Sequence, residues 1–116
     1  MLYVADTAPN RIAAIPDAPH RTTPAIDGGA TLTQGGQLSA PLGLVTAPDG
    51  DVLTVNAGNG KVVETTPSGK QVASRTLVAS GAGGLFGLAL APAAQGIYFV
   101  NDSGTGADAN SLELLH

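Results

Sequence analysis

An eight-residue pattern that occurs twice constrains this chain more than any other feature. Pro41-Leu42-Gly43-Leu44-Val45-Thr46-Ala47-Pro48 aligns with Leu85-Phe86-Gly87-Leu88-Ala89-Leu90-Ala91-Pro92, and Gly43 to Gly87 and Pro48 to Pro92 are each 44 residues apart. One inserted residue later, Val55-Asn56 matches Val100-Asn101. Leu2-Tyr3-Val4 aligns with Leu53-Thr54-Val55 and with Ile97-Tyr98-Phe99, which makes a third occurrence at the N-terminus.

The hydrophobic pattern between these anchors has period 2 or forms short solid apolar runs, and nowhere sustains a helical period. Strands are predicted over residues 2–5, 12–15, 42–47, 52–55, 61–66, 71–77, 86–91, 97–100 and 111–115, with a further short one at 31–33 after an irregular approach over 18–29. Pro48-Asp49-Gly50 and Pro67-Ser68-Gly69 are turn signatures, because proline pre-sets φ and glycine accepts a positive φ. Many short strands and 16 Gly with 8 Pro make the chain all-β. A period in the forties with four short strands per unit is that of a β-propeller blade, so the fold expected is a partial propeller of antiparallel four-stranded blades.

At these residues the chain resembles the NHL-repeat family of β-propellers. The hallmark is a Gly-Leu-Ala-type strand, a Pro-Asp-Gly turn, then Leu-Tyr-Val-Ala-Asp-Thr with Asn-Arg-Ile close behind. The stretch from Leu2 to Ile12 matches it nearly completely; Gly43 to Lys70 keeps the pattern with Asn56-Ala57 where Ala-Asp is usual; Gly87 to Gly104 keeps the Gly and Pro but loses the Asp-Gly of the turn. The resemblance implies about two and a half bacterial-type blades: one over about 2–34 lacking its inner strand, one over about 42–77, and one over about 86–115 lacking its outer strand. On that expectation Met1 cuts through a repeat, His116 is a natural C-terminus, and the chain is a fragment of a longer propeller. Open blade faces and edges would then favour self-association.

Composition excludes several functions. Five basic residues against nine acidic ones, none clustered, argue against nucleic acid as the main partner. The longest nearly apolar stretch, residues 85–94, is too short to span a membrane as a helix, and the start lacks the basic region of a signal peptide. There is no cysteine, hence no disulfide or thiolate metal site. Low charge, few aromatics and abundant Gly, Ala and Thr point to an extracytoplasmic parent.

Residues that could carry chemistry are few. His20 and His116 are the only histidines and neither has a metal-ligand neighbour at a recognisable spacing. Ser103, Asp102 and His116 could be drawn as a triad, but no Gly-x-Ser-x-Gly elbow frames any serine. The oxygen-rich loop over residues 101–110 fails the EF-hand register in both frames, and reads as a hairpin loop; its Asn101-Asp102-Ser103 also fits an N-glycosylation pattern. The glycines at 81, 83 and 84 read as a connection between blades, since the dinucleotide fingerprint needs glycine where Phe86 stands. Arg11 and Lys61 are expected to form blade-to-blade ion pairs.

The positions expected at a ligand face are Asp6, Asn56, Asn101 and Asp102, which the repeat puts at equivalent strand ends. Carboxylates and amides there could hold a divalent cation or hydrogen-bond a polar ligand, as in the metal-dependent lactonase-like propellers, or simply cap their own turns. With no catalytic residue or cofactor indicated, the favoured reading is a non-catalytic scaffold for a protein, peptide or glycan. The alternative is part of a propeller enzyme of the lactonase or lyase kind.

Overall fold

The computed structural model of the chain describes residues 1–79, 83–102 and 110–116. Within them ten strands form three antiparallel sheets. The first holds β1 (Leu2–Asp6), β2 (Arg11–Ile15) and β3 (Ala30–Gln34), and the second β4 (Pro41–Thr46), β5 (Val52–Asn56), β6 (Lys61–Thr65) and β7 (Gln71–Thr76). The third holds β8 (Leu85–Leu90), β9 (Ile97–Asn101) and β10 (Ser111–Leu115). Within each sheet every strand bonds to its neighbour in sequence, so each is an up-and-down meander. Between strands, short 3₁₀ turns occur at Ala18–His20, Ile26–Gly28 and Pro92–Ala94, and no described helix is long and apolar enough to cross a membrane.

The turns behave as their residues dictate. Gly50 N–H donates to the Ala47 carbonyl at 2.9 Å with φ at 97°, and Gly69 N–H donates to Thr66 at 2.9 Å with φ at 92°. Each closes its Pro-x-Gly corner with glycine in the left-handed region that other residues avoid.

The sheets stack in chain order. β4 packs against β1 on one side and β8 on the other, and β5 also meets β8, so the second sheet lies between the first and third. Period-2 alternation splits the second sheet's residues between two cores. Leu44, Val52 and Val63 join Tyr3, Ile12 and Leu32 of the first sheet, together with Leu38. Val45, Leu53, Val55 and Val62 join Leu85, Leu88, Ile97, Phe99 and Leu115 of the third.

The hydrogen-bond register refines the repeat. Asp6 pairs with Arg11 across the first hairpin, and the pairing of Val55 with Val62 places Asn56 and Lys61 at the same position in the second. Tyr3 therefore corresponds to Leu53, and Val4 to Thr54, a shift of one residue from the Leu2-Tyr3-Val4 alignment to Leu53-Thr54-Val55. In a strand one residue exchanges the two faces. Tyr3 accordingly points into the stack, while Leu2 and Val4 are exposed.

Arg11 also differs from expectation. Its Nε lies 3.3 Å from Asp6 Oδ2, and its other nitrogens donate to the Gly29 and Asp27 carbonyls and to Thr31 Oγ1. These bonds fasten the segment after β2 onto its own sheet, because a side chain at the end of a hairpin reaches its cross-strand partner before it reaches another sheet. Lys61 forms no ion pair with a described residue; the other pair is His20 Nδ1 with Asp17 Oδ1 at 2.8 Å, both exposed.

On the second sheet the hydroxyls of Thr54 and Thr65 are buried without a hydrogen-bond partner among the described atoms. An unpaired buried hydroxyl costs about 1–3 kcal/mol, so Thr54→Val is expected to stabilise the fold by about 1 kcal/mol in urea unfolding. A loss of stability on that substitution would show the hydroxyl to be engaged.

Candidate functional site

The four expected ligand-face residues lie at strand ends: Asp6 ends β1, the first strand of its sheet, while Asn56 ends β5 and Asn101 ends β9, the second strands of theirs, with Asp102 following. Their environments differ. Asp6 is half-exposed and held by Arg11. Asn56 is fully buried; its Nδ2 donates to the Gln37 carbonyl at 2.8 Å and to Asn59 Oδ1 at 3.1 Å, while its Oδ1 has no partner among the described atoms. Asn59 Oδ1 in turn accepts from Lys61 N–H at 3.2 Å. This network locks the β5–β6 turn, which is structural work. Asn101 Nδ2 donates to Glu113 Oε2 at 2.7 Å across the β9–β10 pair, and Asp102 N–H donates to the Gly84 carbonyl at 2.8 Å. Each bond named here ties its residue within its own sheet or to the segment leading into it. Ser103, the rest of the loop through residue 109, and residues 80–82 of the glycine run lie outside the described residues.

At the opposite end of the second sheet is a group that reading the sequence missed. The Pro48-Asp49-Gly50 corner presents Asp49 and Asp51, and pairing of Leu53 with Glu64 brings Glu64 diagonally across from Asp51. One carboxylate oxygen from each of Asp49, Asp51 and Glu64 lies within 4.8 Å of the others. Five strand residues separate this end from Asn56, roughly 17 Å at ~3.3 Å per residue. Asp49 Oδ1 also accepts from the Asp51 N–H at 3.1 Å, the local turn bond its residue type favours. Three carboxylates so placed are the described residues best suited to holding a hard divalent cation, which takes oxygen ligands.

Burial first, then the negative charges of Asp51 and Asp49 and a hydrogen bond with Asp51, push the Glu64 carboxyl above its ordinary 4.5. A carboxyl that binds its proton more tightly when folded stabilises the fold at low pH and loses that contribution as pH rises through its raised value. Glu64→Gln is therefore expected to melt above the unsubstituted chain at neutral pH. The gap should close below pH 4.5, where Glu64 is protonated in both folded and unfolded chains. Melting curves across that range check it.

Glu64 also borders a cleft of about 280 Å³ between the second and third sheets. Its floor is the outer half of the second sheet (Leu53, Val62, Ala73 and Arg75), and Ile97 and Leu115 form the facing wall. The cleft exists because β7 has no described counterpart beyond β10 in the third sheet. Mostly apolar, with a carboxyl and a guanidinium at its borders, it can accept an aliphatic side chain or ring carrying a small polar group. No family model matches the chain, and no curated protein matches it.

Proposed function

We propose that the chain is an NHL-type propeller segment that serves as a non-catalytic binding scaffold for a protein, peptide or glycan, through the strand-end loops of Asp6, Asn56, Asn101 and Asp102. One observation supports this reading: three consecutive meanders stack in chain order, with Asp6 ending the first strand of the first, and Asn56 and Asn101 ending the second strands of the other two. In a propeller, successive blades stack this way and their equivalent loops gather on one face. Asp102, which is exposed, and Asp6, whose side chain is half-exposed, are the ligand contacts; the buried Asn56 supports the loop from below. The carboxylate cluster sits at the other end of the second sheet, which separates it from this face and favours binding over catalysis.

Panning a displayed random-peptide library and probing a glycan array with the purified chain test the proposal. Binders should be recovered whose affinity falls at least about tenfold, or about 1.4 kcal/mol, on Asp6→Ala or Asp102→Ala. Binders indifferent to both substitutions would place the binding surface elsewhere and overturn it.

The carboxylate cluster favours one second reading, a propeller enzyme of the lactonase or lyase kind with a divalent cation. Calcium titration followed by melting separates the two, because a cation bound only to the folded chain must raise the melting temperature. A rise abolished by Glu64→Gln supports the enzyme reading; an unchanged melting temperature supports the scaffold.

A further inference from the structure

We propose that the Asp27-Gly28 step is a site of spontaneous covalent modification in the folded chain, where the aspartate isomerises through a succinimide to isoaspartate. The inference rests on hydrogen bonding and exposure, and neither on the propeller reading nor on any ligand.

The reaction needs an Asp or Asn followed by a residue whose main-chain nitrogen is uncrowded, and glycine, without a Cβ, crowds it least. That nitrogen attacks the side-chain Cγ. For aspartate the new N–Cγ bond closes a five-membered ring, and one carboxyl oxygen leaves with the amide and carboxyl protons as water. A water then adds back to either ring carbonyl. Opening at the α-carbonyl breaks its bond to the glycine nitrogen, so the main chain runs through Cγ and the former carbonyl carbon carries the free carboxylate. Mass and charge are unchanged.

The sequence holds three such steps, Asp27-Gly28, Asp49-Gly50 and Asn59-Gly60. Attack requires the peptide between the two residues to rotate toward the side chain, so each step is protected by whatever fixes that peptide. At Asn59-Gly60 both reacting groups are held. Gly60 is buried, its N–H donates to the Asn56 carbonyl at 3.1 Å, and its carbonyl accepts from Leu77 and Val78 N–H at 2.8 and 3.0 Å. Asn59 Oδ1 accepts from Asn56 Nδ2 and from Lys61 N–H. At Asp49-Gly50 the Gly50 N–H closes its corner onto Ala47, and Asp49 Oδ1 is engaged by Asp51 N–H.

Asp27-Gly28 lacks these restraints. Both residues are exposed, and the bond that closes their turn is donated by Gly29, to the Ile26 carbonyl at 3.0 Å. No described residue hydrogen-bonds the Asp27 carboxylate. Asp27 sits at φ 52°, in the left-handed region that a Cβ disfavours, so leaving that conformation costs little. The peptide is restrained by Arg11 Nη2, which donates to the Asp27 carbonyl at 3.2 Å in an exposed bond that water can replace. The same contact favours the product, because the carboxylate freed at that carbonyl lies beside the guanidinium.

Incubating the chain at neutral pH, folded and in urea, and mapping its peptides by electron-transfer fragmentation compares the rate of each step in the two states. Asp27 should isomerise in the folded chain within about tenfold of its rate in urea, and Asn59 should slow by at least about a hundredfold, since local opening costs least at an exposed turn. Asp49 should also be slowed more than Asp27. Asp27→Glu, whose ring would need an extra carbon, should abolish the product in its peptide. Protection of Asp27 equal to or above that of Asn59 or Asp49 overturns the proposal. So does isoaspartate that forms in the folded chain at those two steps and not at Asp27, or a product that persists in the Asp27→Glu peptide.

Discussion

Gly43→Ala is expected to destabilise the chain by about 3 kcal/mol, the upper part of the range for overpacking. A Cβ at Gly43 would strike the carbonyl oxygen of Phe86 and lie 3.3 Å from both the Phe86 carbonyl carbon and Val55 Cγ2. The first obstacle is backbone of the adjacent sheet, held by its own ladder, so relief requires moving β8 away from β4 and loosening the second core. Gly87 is the matched control. It holds the same place in the repeat, its φ is not positive, and a Cβ there would meet only Val100 Cγ2 at 3.7 Å, an ordinary contact. Gly87→Ala should therefore fall within about 0.5 kcal/mol of the unsubstituted chain. Urea unfolding of both variants measures the difference; equal effects would mean that β4 and β8 are not in close backbone contact.

Leu85→Ala comes next, with an expected cost of about 3 kcal/mol from lost burial and the cavity left behind. Leu85 opens β8, is fully buried, and sits in the core between the second and third sheets with Val55, Val62 and Phe99. In a domain of this size such a loss lowers the melting temperature by roughly 12–24 °C, at about 4–8 °C per kcal/mol. Leu90, at the other end of the same strand, is exposed, and Leu90→Ala should change the melting temperature by only a few degrees, about 0.5 kcal/mol. Comparable losses at both positions would contradict the placement of this core.

Strand positions were legible because their punctuation is chemical. The Pro-Asp-Gly and Pro-Ser-Gly corners, and the Gly-to-Pro anchors of β4 and β8, mark strand ends whatever the sheet packs against. Facing was less legible in the first sheet. Leu2, Tyr3, Val4 and Ala5 are all apolar, so no polar alternation reveals which two point inward, and the triplet alignment chose the wrong parity. The strand-end residues Asp6, Asn56 and Asn101 were legible from the repeat. That Asn56 is buried as a turn lock, with Gln37 and Asn59 as partners, depends on the path of residues 35–40 and leaves no local signal. Arg11 was expected to pair between blades; the segment after β2 folds back to meet it instead. The Asp49–Asp51–Glu64 cluster could have been found by pairing residues 52–55 with 62–65 through the turn at 57–60, which sets Glu64 opposite Leu53.

The most direct test of the stack is a nuclear Overhauser spectrum of the ¹³C,¹⁵N-labelled chain. Cross-peaks are expected from the Gly43 α-protons to the Phe86 and Gly87 backbone, and from the Tyr3 ring to the methyls of Val52 and Val63, which share a cluster with it. Together they place the second sheet between the first and third. Cross-peaks confined within each meander, with none linking Gly43 to Phe86 or Tyr3 to Val52 or Val63, would contradict it.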